Sequence, residues 1–367
     1  MSNAQAEDVS AILLEQTDRL FQHHATPERL QAADRGEWPA AIWNAVAEAG
    51  LPLALLSEEQ GGYGLAPADA LKLIRRAAYH TVPVPLAETM VATALWAAAS
   101  GEPPEGVITF GSGTLALARD GTGSRLSGRL PRVPWGDRAD RILVFAHDAA
   151  GAAHLTLMPP PAPGNEARVN LAFEPRPSLS FDGVAVPDNA IRAAPPICAD
   201  GLLAFGAAVR AQQMVGAMER CLEHALKHAN ERKQFGRALA KFQAIQHMLA
   251  EAAGHFAAAS AAADGAAEAW GHPEFRLATA IAKARVGEAA GKVAAICHQV
   301  HGAMGFTQEH PLHFSTRRLW SWRDEFGGEA FWEAEIGRSV CAQGGEALWD
   351  RLVRVAHLSA ADGGREA

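Results

Sequence analysis

The feature that most constrains this chain is a succession of three long apolar-striped runs beginning near Ala199. Leu203 to Arg232 carries Val209, Met214, Val215, Met218, Leu222, Ala225 and Leu226 on one stripe. A second run extends from about Phe242 to Trp270, and a third from Phe275 to Val300. Apolar residues recurring at helical spacing mark a helix with one buried face. Such runs exceed the average helix of ~10–14 residues, and helices of matched length bury their stripes best in an up-and-down bundle. His310-Pro311 is a break, and Arg317 to Ala356 supplies the last helices, interrupted at Gly327-Gly328.

Upstream the texture differs twice. Residues 7 to about 100 read as helical: Ile12, Leu13, Leu20 and Phe21 recur at helical spacing, as do Ile42, Val46 and Ala49, and Gly50 stops the helix. Ser57 to Gly64 holds Gly61, Gly62 and Gly64 and reads as a loop; Pro67 restarts a helix and Pro83-Val84-Pro85 breaks it. From about Gly106 to Ile197 the runs are short and strand-like: Ile108–Phe110, Leu115–Leu117, Ile142–Ala146, His154–Met158 and Ser178–Val184. The expected fold is therefore α+β and mainly α. It has an all-helical domain at 1–105, a small β-barrel-like domain at 106–197, a four-helix bundle at 198–360 and a disordered tail at 361–367.

The formal net charge is −8, and no basic stripe is present, which argues against nucleic acid as a partner. An anionic ligand must then be held by a few placed arginines or by helix N-termini. Cys198, Cys221, Cys297 and Cys341 lie far apart without C-x-x-C spacing and read as reduced, buried thiols of a cytoplasmic protein. Met1 to Gln16 lacks a basic region followed by an apolar run, so no secretory signal is expected, and no stretch reaches the ~18 apolar residues of a membrane span. His23-His24 and the pair His310 and His313 lack further ligands at useful spacing, so no metal is expected.

Four stretches point the same way. Arg232-Lys233-Gln234-Phe235-Gly236, with Leu239 and Gln243 downstream, resembles the R-x-x-F-G-x-x-L-x-x-x-Q signature of acyl-CoA dehydrogenases. Read physically, a helix ends at Gly236 with Arg232 and Phe235 on one face. A guanidinium can clamp a diphosphate in a bidentate way, and a ring can cover an adenine or a flavin. The plainer alternative is a surface Arg and Gln with a core Phe. Gln299-Val300-His301-Gly302-Ala303-Met304-Gly305-Phe306, running to Glu309-His310-Pro311, resembles the same family's Q-x-x-G-G-x-G-F segment, with Ala303 replacing a glycine. Its Q-V-H-G form is similar to a bacterial branch that includes subunits acting on bulky acyl-CoA thioesters. Glu58 to Gly64 matches a scaffold loop of the family, and Ala139-Asp140 ends a β-domain stretch.

The resemblance implies an FAD-dependent α,β-dehydrogenation of an acyl-CoA thioester. A carboxylate removes the α proton and flavin N5 takes hydride from the β carbon. It assigns Arg232, Phe235, Gln243, Gln299, Gly302 and Ala303 to an FAD reached across a subunit boundary. It implies an electron-transferring flavoprotein as electron acceptor. A homodimer, a homotetramer or a heterotetramer with a related subunit is expected. The match thins at the catalytic residues. The E-G-T tripeptide that carries the usual base falls on Phe326-Gly327-Gly328, so Gly328 stands where a flavin-facing Thr is expected. Glu325 is the candidate base and Glu329 the second; the alternative for Glu325 is a solvated turn residue. Pro134, followed by Trp135, replaces the flavin-facing Thr or Ser of the β domain, and Gly111–Thr114 replaces an acidic-Gly-Ser loop. The alternative function is a non-catalytic FAD-binding or scaffold subunit of a heteromeric dehydrogenase. The tryptophans at 320, 322, 332 and 349 are expected to pack between subunits.

Overall fold

In a computed structural model the residues described are 3–120, 123–161, 168–350 and 353; the tail at 361–367 lies outside them. The chain divides into two compact units, Met1–Ala70 with Pro83–Gly206, and Leu71–Val82 with Ala207–Ala367. It is mainly helical, with a mixed sheet in the middle.

The first unit opens with α1 (Asn3–His24), α2 (Pro27–Asp34) and α3 (Ala40–Glu48), and contains the start of α4 (Pro67–Tyr79) and all of α5 (Leu86–Ser100). Residues Leu86 to Thr93 of α5 are buried in succession, so this helix has no polar face. Thr89 Oγ1 donates to Ile108 O at 2.9 Å and accepts from Ile108 N at 3.2 Å, which joins α5 to the first strand. The strands are β1 (Ile108–Asp120), β2 (Gly123–Leu130), β3 (Arg141–Asp148), β4 (Ala153–Met158), β5 (Leu179–Val186) and β6 (Ile191–Ala193). They lie in the order β5-β2-β1-β3-β4-β6, with β1 and β3 parallel and the other neighbours antiparallel. Ile142 to Ala146 of β3 are all buried, which is why that stretch reads as a continuous apolar run. The two runs expected at 108–110 and 115–117 are one strand. Gly111–Thr114 sits inside it as an irregularity where the register against β3 slips.

In the glycine loop of this unit, Gly62 is fixed by space. A Cβ there would lie 2.3 Å from Leu56 O and 2.5 Å from Leu53 O, both backbone atoms.

The second unit contains most of α6 (Leu203–Glu231), then α7 (Gln243–Glu268), α8 (Phe275–His301), α9 (Leu312–Asp324) and α10 (Glu329–Gln343). One core joins Met214, Met218, Cys221 and Leu222 of α6, Ala252, Ala259 and Ala263 of α7, Val286, Val293 and Cys297 of α8, and Leu319 and Trp322 of α9. The fully buried positions of α7 are all alanine, with Ile245, Met248, Leu249 and Phe256 partly buried beside them, and small side chains let neighbouring backbones close in. Leu226, read from the sequence as part of the buried stripe of α6, is 48% exposed; Ala225 and Ala229 take the inward positions of that turn. Trp322 and Trp332 are 2% and 0% exposed and pack within the protomer, correcting their expected place between subunits. Cys341 is exposed, unlike the other three cysteines. Among the described residues no helix is long and apolar enough to cross a membrane.

Gly216 of α6 meets α4 so closely that a Cβ would stand 2.0 Å from Arg75 O. Alanine gains ~1 kcal/mol of helix propensity over glycine. Overpacking against a backbone atom costs ~1–3 kcal/mol or more, and here the clash wins. Gly216→Ala should therefore lower the thermal midpoint and the urea midpoint, where an exposed glycine in a helix would raise both.

Candidate active site and cofactor-binding end

α6 stops at Glu231, and the chain leaves it as a short arm. β7 (Lys233–Gln234) pairs with β8 (Arg237–Ala238), with Gln234 opposite Arg237. The two-residue turn between them is Phe235 at φ +52° and Gly236 at φ +78°. Positive φ at both central residues is what a type I′ hairpin requires. The helix expected to continue to Gly236 is thus replaced by a hairpin, and Arg232 and Phe235 do not share a helical face. Arg232 retains the last helical bond, N to His228 O at 2.9 Å, and its carbonyl accepts Leu239 N at 2.9 Å to close the arm. A phenylalanine in the left-handed region is strained. Its ring is also 90% exposed, meeting Phe242 edge-on at 6.2 Å. Arg232 and Gln243 are exposed, and neither side chain makes a hydrogen bond among the described residues.

The second motif comes to the same end of the unit. α8 finishes at His301, and Gly302 turns the chain at φ +60°, ψ −143°, a conformation open to glycine alone among common residues. Gln299, Gly302 and Ala303 are exposed. The His301 ring lies 4.7 Å from the His228 ring, one turn before Arg232, so this contact draws the two motifs together. His310 lies 4.5 Å from His301 and 5.6 Å from His224, completing a row of four imidazoles. His301 Nδ1 donates to Cys297 O at 2.6 Å, which fixes its tautomer. Burial, aided by Arg220 and His310, pulls His224 down to about 3; burial, aided by the other histidines, pulls His310 down to about 4. Among the described residues no group of three or more His, Cys, Asp or Glu could hold a metal ion. Sequence reading had singled out His310 with His313. The i, i+4 pair of His224 and His228 was the signal that could have found the rest.

The expected base region lies where α9 ends. Phe326 occupies the position of the usual carboxylate, in the left-handed region at φ +55° and 9% exposed. Its carbonyl accepts Trp332 Nε1 at 3.0 Å. Glu325 is not a solvated turn residue: Arg210 Nε, fully buried on α6, donates to its Oε2 at 2.7 Å. Arg210 also stacks 5.4 Å from the Phe326 ring. Glu329 pairs with Arg323 instead, and its carboxylate fills the space beside Gly287. Gly328 precedes the first residue of α10. Beneath the turn, Lys283 Nζ donates to Arg323 O at 2.6 Å and to Gly327 O at 2.7 Å. Burial brings Lys283 down to about 8, against the opposing pull of Glu329 and Glu325. Neither Arg210 nor Lys283 was anticipated, because each sits in an apolar run where a single cation gives no motif.

In the first unit, Pro134 O accepts a hydrogen bond from Thr109 Oγ1, and Trp135 is 7% exposed with φ +56°. Trp135 meets Trp38 edge-on at 6.2 Å, and both line a cavity of about 170 Å³ with Pro39, Pro83, Phe173 and Pro175.

Two family models match, the acyl-CoA dehydrogenase N-terminal domain over residues 8–102 and the C-terminal domain over residues 198–323. The chain belongs to the acyl-CoA dehydrogenase family. Within that family it is 29% identical over 315 residues to the acyl-CoA dehydrogenase IpdE2 of Mycobacterium tuberculosis, spanning 84% of this chain and 89% of the relative. The ChsE4-ChsE5 complex from Mycobacterium tuberculosis shares the fold at a TM-score of 0.82 and 22% identity, over 93% of this chain and 98% of that one. The Tcur3481-Tcur3483 steroid ACAD aligns with a TM-score of 0.81 at 25% identity, over 92% and 99% of the two chains. As a member of the acyl-CoA dehydrogenase family, the chain is a flavin oxidoreductase by descent.

The histidine row sets a pH dependence. His224 titrates near 3 in the fold, against ~6.5 in an unfolded chain. Between those values the unfolded chain binds a proton that the folded one refuses. Stability is therefore full above pH 7 and declines as pH falls below 6.5, by at most ~1.4 kcal/mol per pH unit for this residue. The urea midpoint at pH 5 should lie below that at pH 7.5, and His224→Phe should narrow the gap. Neutralising Glu325 leaves the buried Arg210 with Gln213 but without its carboxylate counter-charge, so Glu325→Gln should cost ~3 kcal/mol in urea unfolding. Adding Arg210→Met should recover part of that loss.

Proposed function

We propose that this chain takes part in the FAD-dependent α,β-dehydrogenation of an acyl-CoA thioester, its bundle supplying Arg232, Phe235, Gln243, Gln299, Gly302 and Ala303 to an FAD held against a neighbouring subunit. The carrying observation is the His228–His301 contact at 4.7 Å. It gathers two motifs far apart in sequence at one end of the bundle, with their polar side chains exposed. The donor set fits the group: a guanidinium for the diphosphate, carboxamides for adenosine edges, and a strained ring 90% exposed that gains its packing from outside the protomer. The cofactor also fits the middle sheet less closely than the family pattern would, because Pro134 offers no N–H.

FAD, when bound, supplies the hydride acceptor for the substrate's β carbon. The chain must then supply or recruit a carboxylate for the α proton. Glu325 is our first candidate and Glu329 the second. For Glu325 to act it must exchange Arg210, to which it is bound at 2.7 Å, for the substrate. Glu329 would have to leave Arg323. Gly328 caps the N-terminus of α10, next to a first turn whose backbone N–H groups can face a polar ligand.

A second reading has its own support. Phe326 stands at the base position and both flanking carboxylates are held in ion pairs, which favours a non-catalytic FAD-binding or scaffold subunit whose partner brings the base. Under either reading we assign a cytoplasmic protein with three domains at 1–105, 106–197 and 198–360. It works as a homodimer, homotetramer or heterotetramer, with an electron-transferring flavoprotein as electron acceptor.

The test is a visible spectrum of the purified protein, alone and with a candidate partner. A yellow protein that bleaches anaerobically with an acyl-CoA supports dehydrogenation. In that case Glu325→Gln or Glu329→Gln should slow flavin reduction at least tenfold, depending on which is the base. Yellow protein indifferent to both substitutions supports the second reading. Arg232→Ala should weaken FAD binding about tenfold or more, the worth of a charge-assisted contact. A colourless protein in every pairing removes the proposal.

A further inference from the structure

We infer that His228 is a second cationic contact for the diphosphate held at Arg232, and that it takes up a proton from solvent as the diphosphate binds. This rests on the reading of Arg232 as the diphosphate clamp and deepens it. The two residues are four apart, and the bond from Arg232 N to His228 O at 2.9 Å keeps that last turn helical. Their side chains therefore share one face of α6. They stand at the helix C-terminus, where the negative end of the helix dipole repels an anion. A diphosphate can settle there only if side-chain cations outweigh that field. Arg232 is one. Arg237, on the arm, is engaged over the Phe242 ring at 4.1 Å. His228 is the next group on the face, half-buried and set against His301.

The groups facing His228 decide its charge. Glu231 and Arg232 lie on its own helix, His301 faces it from α8, and His310 from the turn before α9, with His224 behind His310. Without a ligand, burial, then His301, then Arg232 hold His228 below its ordinary range, and Glu231 opposes them weakly. Burial holds His301 below its ordinary range, against the opposing pull of its backbone contacts to Cys297 and His224, and its Nδ1 donates to Cys297 O. A diphosphate beside Arg232 neutralises the guanidinium's repulsion and adds negative charge within reach of the imidazole. The proton bound by His228 then comes from the buffer, and the complex gains one charge-assisted N–H···O contact. The anion therefore binds more tightly as pH falls through neutrality, because the bound state holds the extra proton.

The experiment uses the protein in its purified assembly, freed of flavin, and three probes: FAD, ADP and riboflavin, which has no diphosphate. Affinity is read by fluorescence or calorimetry at pH 6.5, 7.5 and 8.5. Calorimetry in buffers of differing ionisation enthalpy gives the number of protons exchanged. For FAD and ADP we expect proton uptake at pH 7.5 and affinity about three- to tenfold tighter at pH 6.5 than at pH 8.5. His228→Gln should abolish both effects while leaving riboflavin binding unchanged, which a merely structural role for the ring would not do. His228→Asn serves if the Gln variant misfolds. The inference is overturned if uptake and pH slope persist in the His228 variants while Arg232→Ala still weakens FAD; the clamp then stands without His228. If Arg232→Ala has no effect on FAD or ADP, the clamp itself is wrong, and this inference falls with it.

Discussion

The proposed cofactor-binding end depends on where α6 and α8 stop relative to each other. Both are long helices of one core, and their last turns end level enough that His228 and His301 rest ring to ring at 4.7 Å. Shift α8 by a single residue and each side chain swings about 100° around its axis, carrying Gln299 and Gly302 away from Arg232. What sets the level is the packing of small residues far from the site. The alanine face of α7 and the contact of Gly216 with Arg75 O leave little freedom for sliding. The relative placement of the two motifs at one end is thus controlled by volume in the middle.

The other end of α9 follows a different logic. Two cations without solvent, Arg210 and Lys283, lie under the turn at 325–328, and each is answered differently. Arg210 meets a carboxylate. Lys283 meets the carbonyl of Arg323, in the last turn of α9, and that of Gly327, in the turn before α10. Buried charges of this kind add little net stability, since desolvation offsets most of the attraction, but each forbids alternative arrangements of the turn. The left-handed Phe326 is held by the same set, through Trp332 on its carbonyl. A turn so fully determined keeps Glu325 in one place, bound to Arg210.

Much of this was legible in the residues. The long stripes announced the bundle, the continuous apolar run Ile142–Ala146 announced a central strand, and the two glycine-bearing motifs named the exposed end. What failed did so for identifiable reasons. Arg232 to Gly236 was read as helix because the run before it is helical. A hairpin of two-residue strands has no periodicity to detect, and phenylalanine is a poor advertisement for a left-handed turn. Leu226 was placed inward because single-face counting tolerates an error of one position in a turn that alanine can fill. Glu325 was weighed as a solvated residue because its partner, Arg210, lies more than a hundred positions away, in a stripe where only its neighbours' apolarity was visible. The histidine row was missed for the same reason: His224, His301 and His310 come from three elements that only the fold brings together.

Phe235 joins these strands of argument. A left-handed non-glycine residue costs on the order of 1–3 kcal/mol, and a ring left 90% in water recovers none of the ~2 kcal/mol its burial would return. Both penalties fall on one side chain at the tip of an arm whose strands are two residues long. Among the described residues the edge-on contact with Phe242 covers little of the ring. A conformation of this cost persists when the gain lies outside the chain, in whatever the ring covers. The arm's neighbours are the Arg232 guanidinium, which makes no side-chain hydrogen bond among the described residues, and a helix end that repels anions unless cations are supplied. The dinucleotide proposed above, flat at one end and carrying phosphate at the other, would answer all three at once.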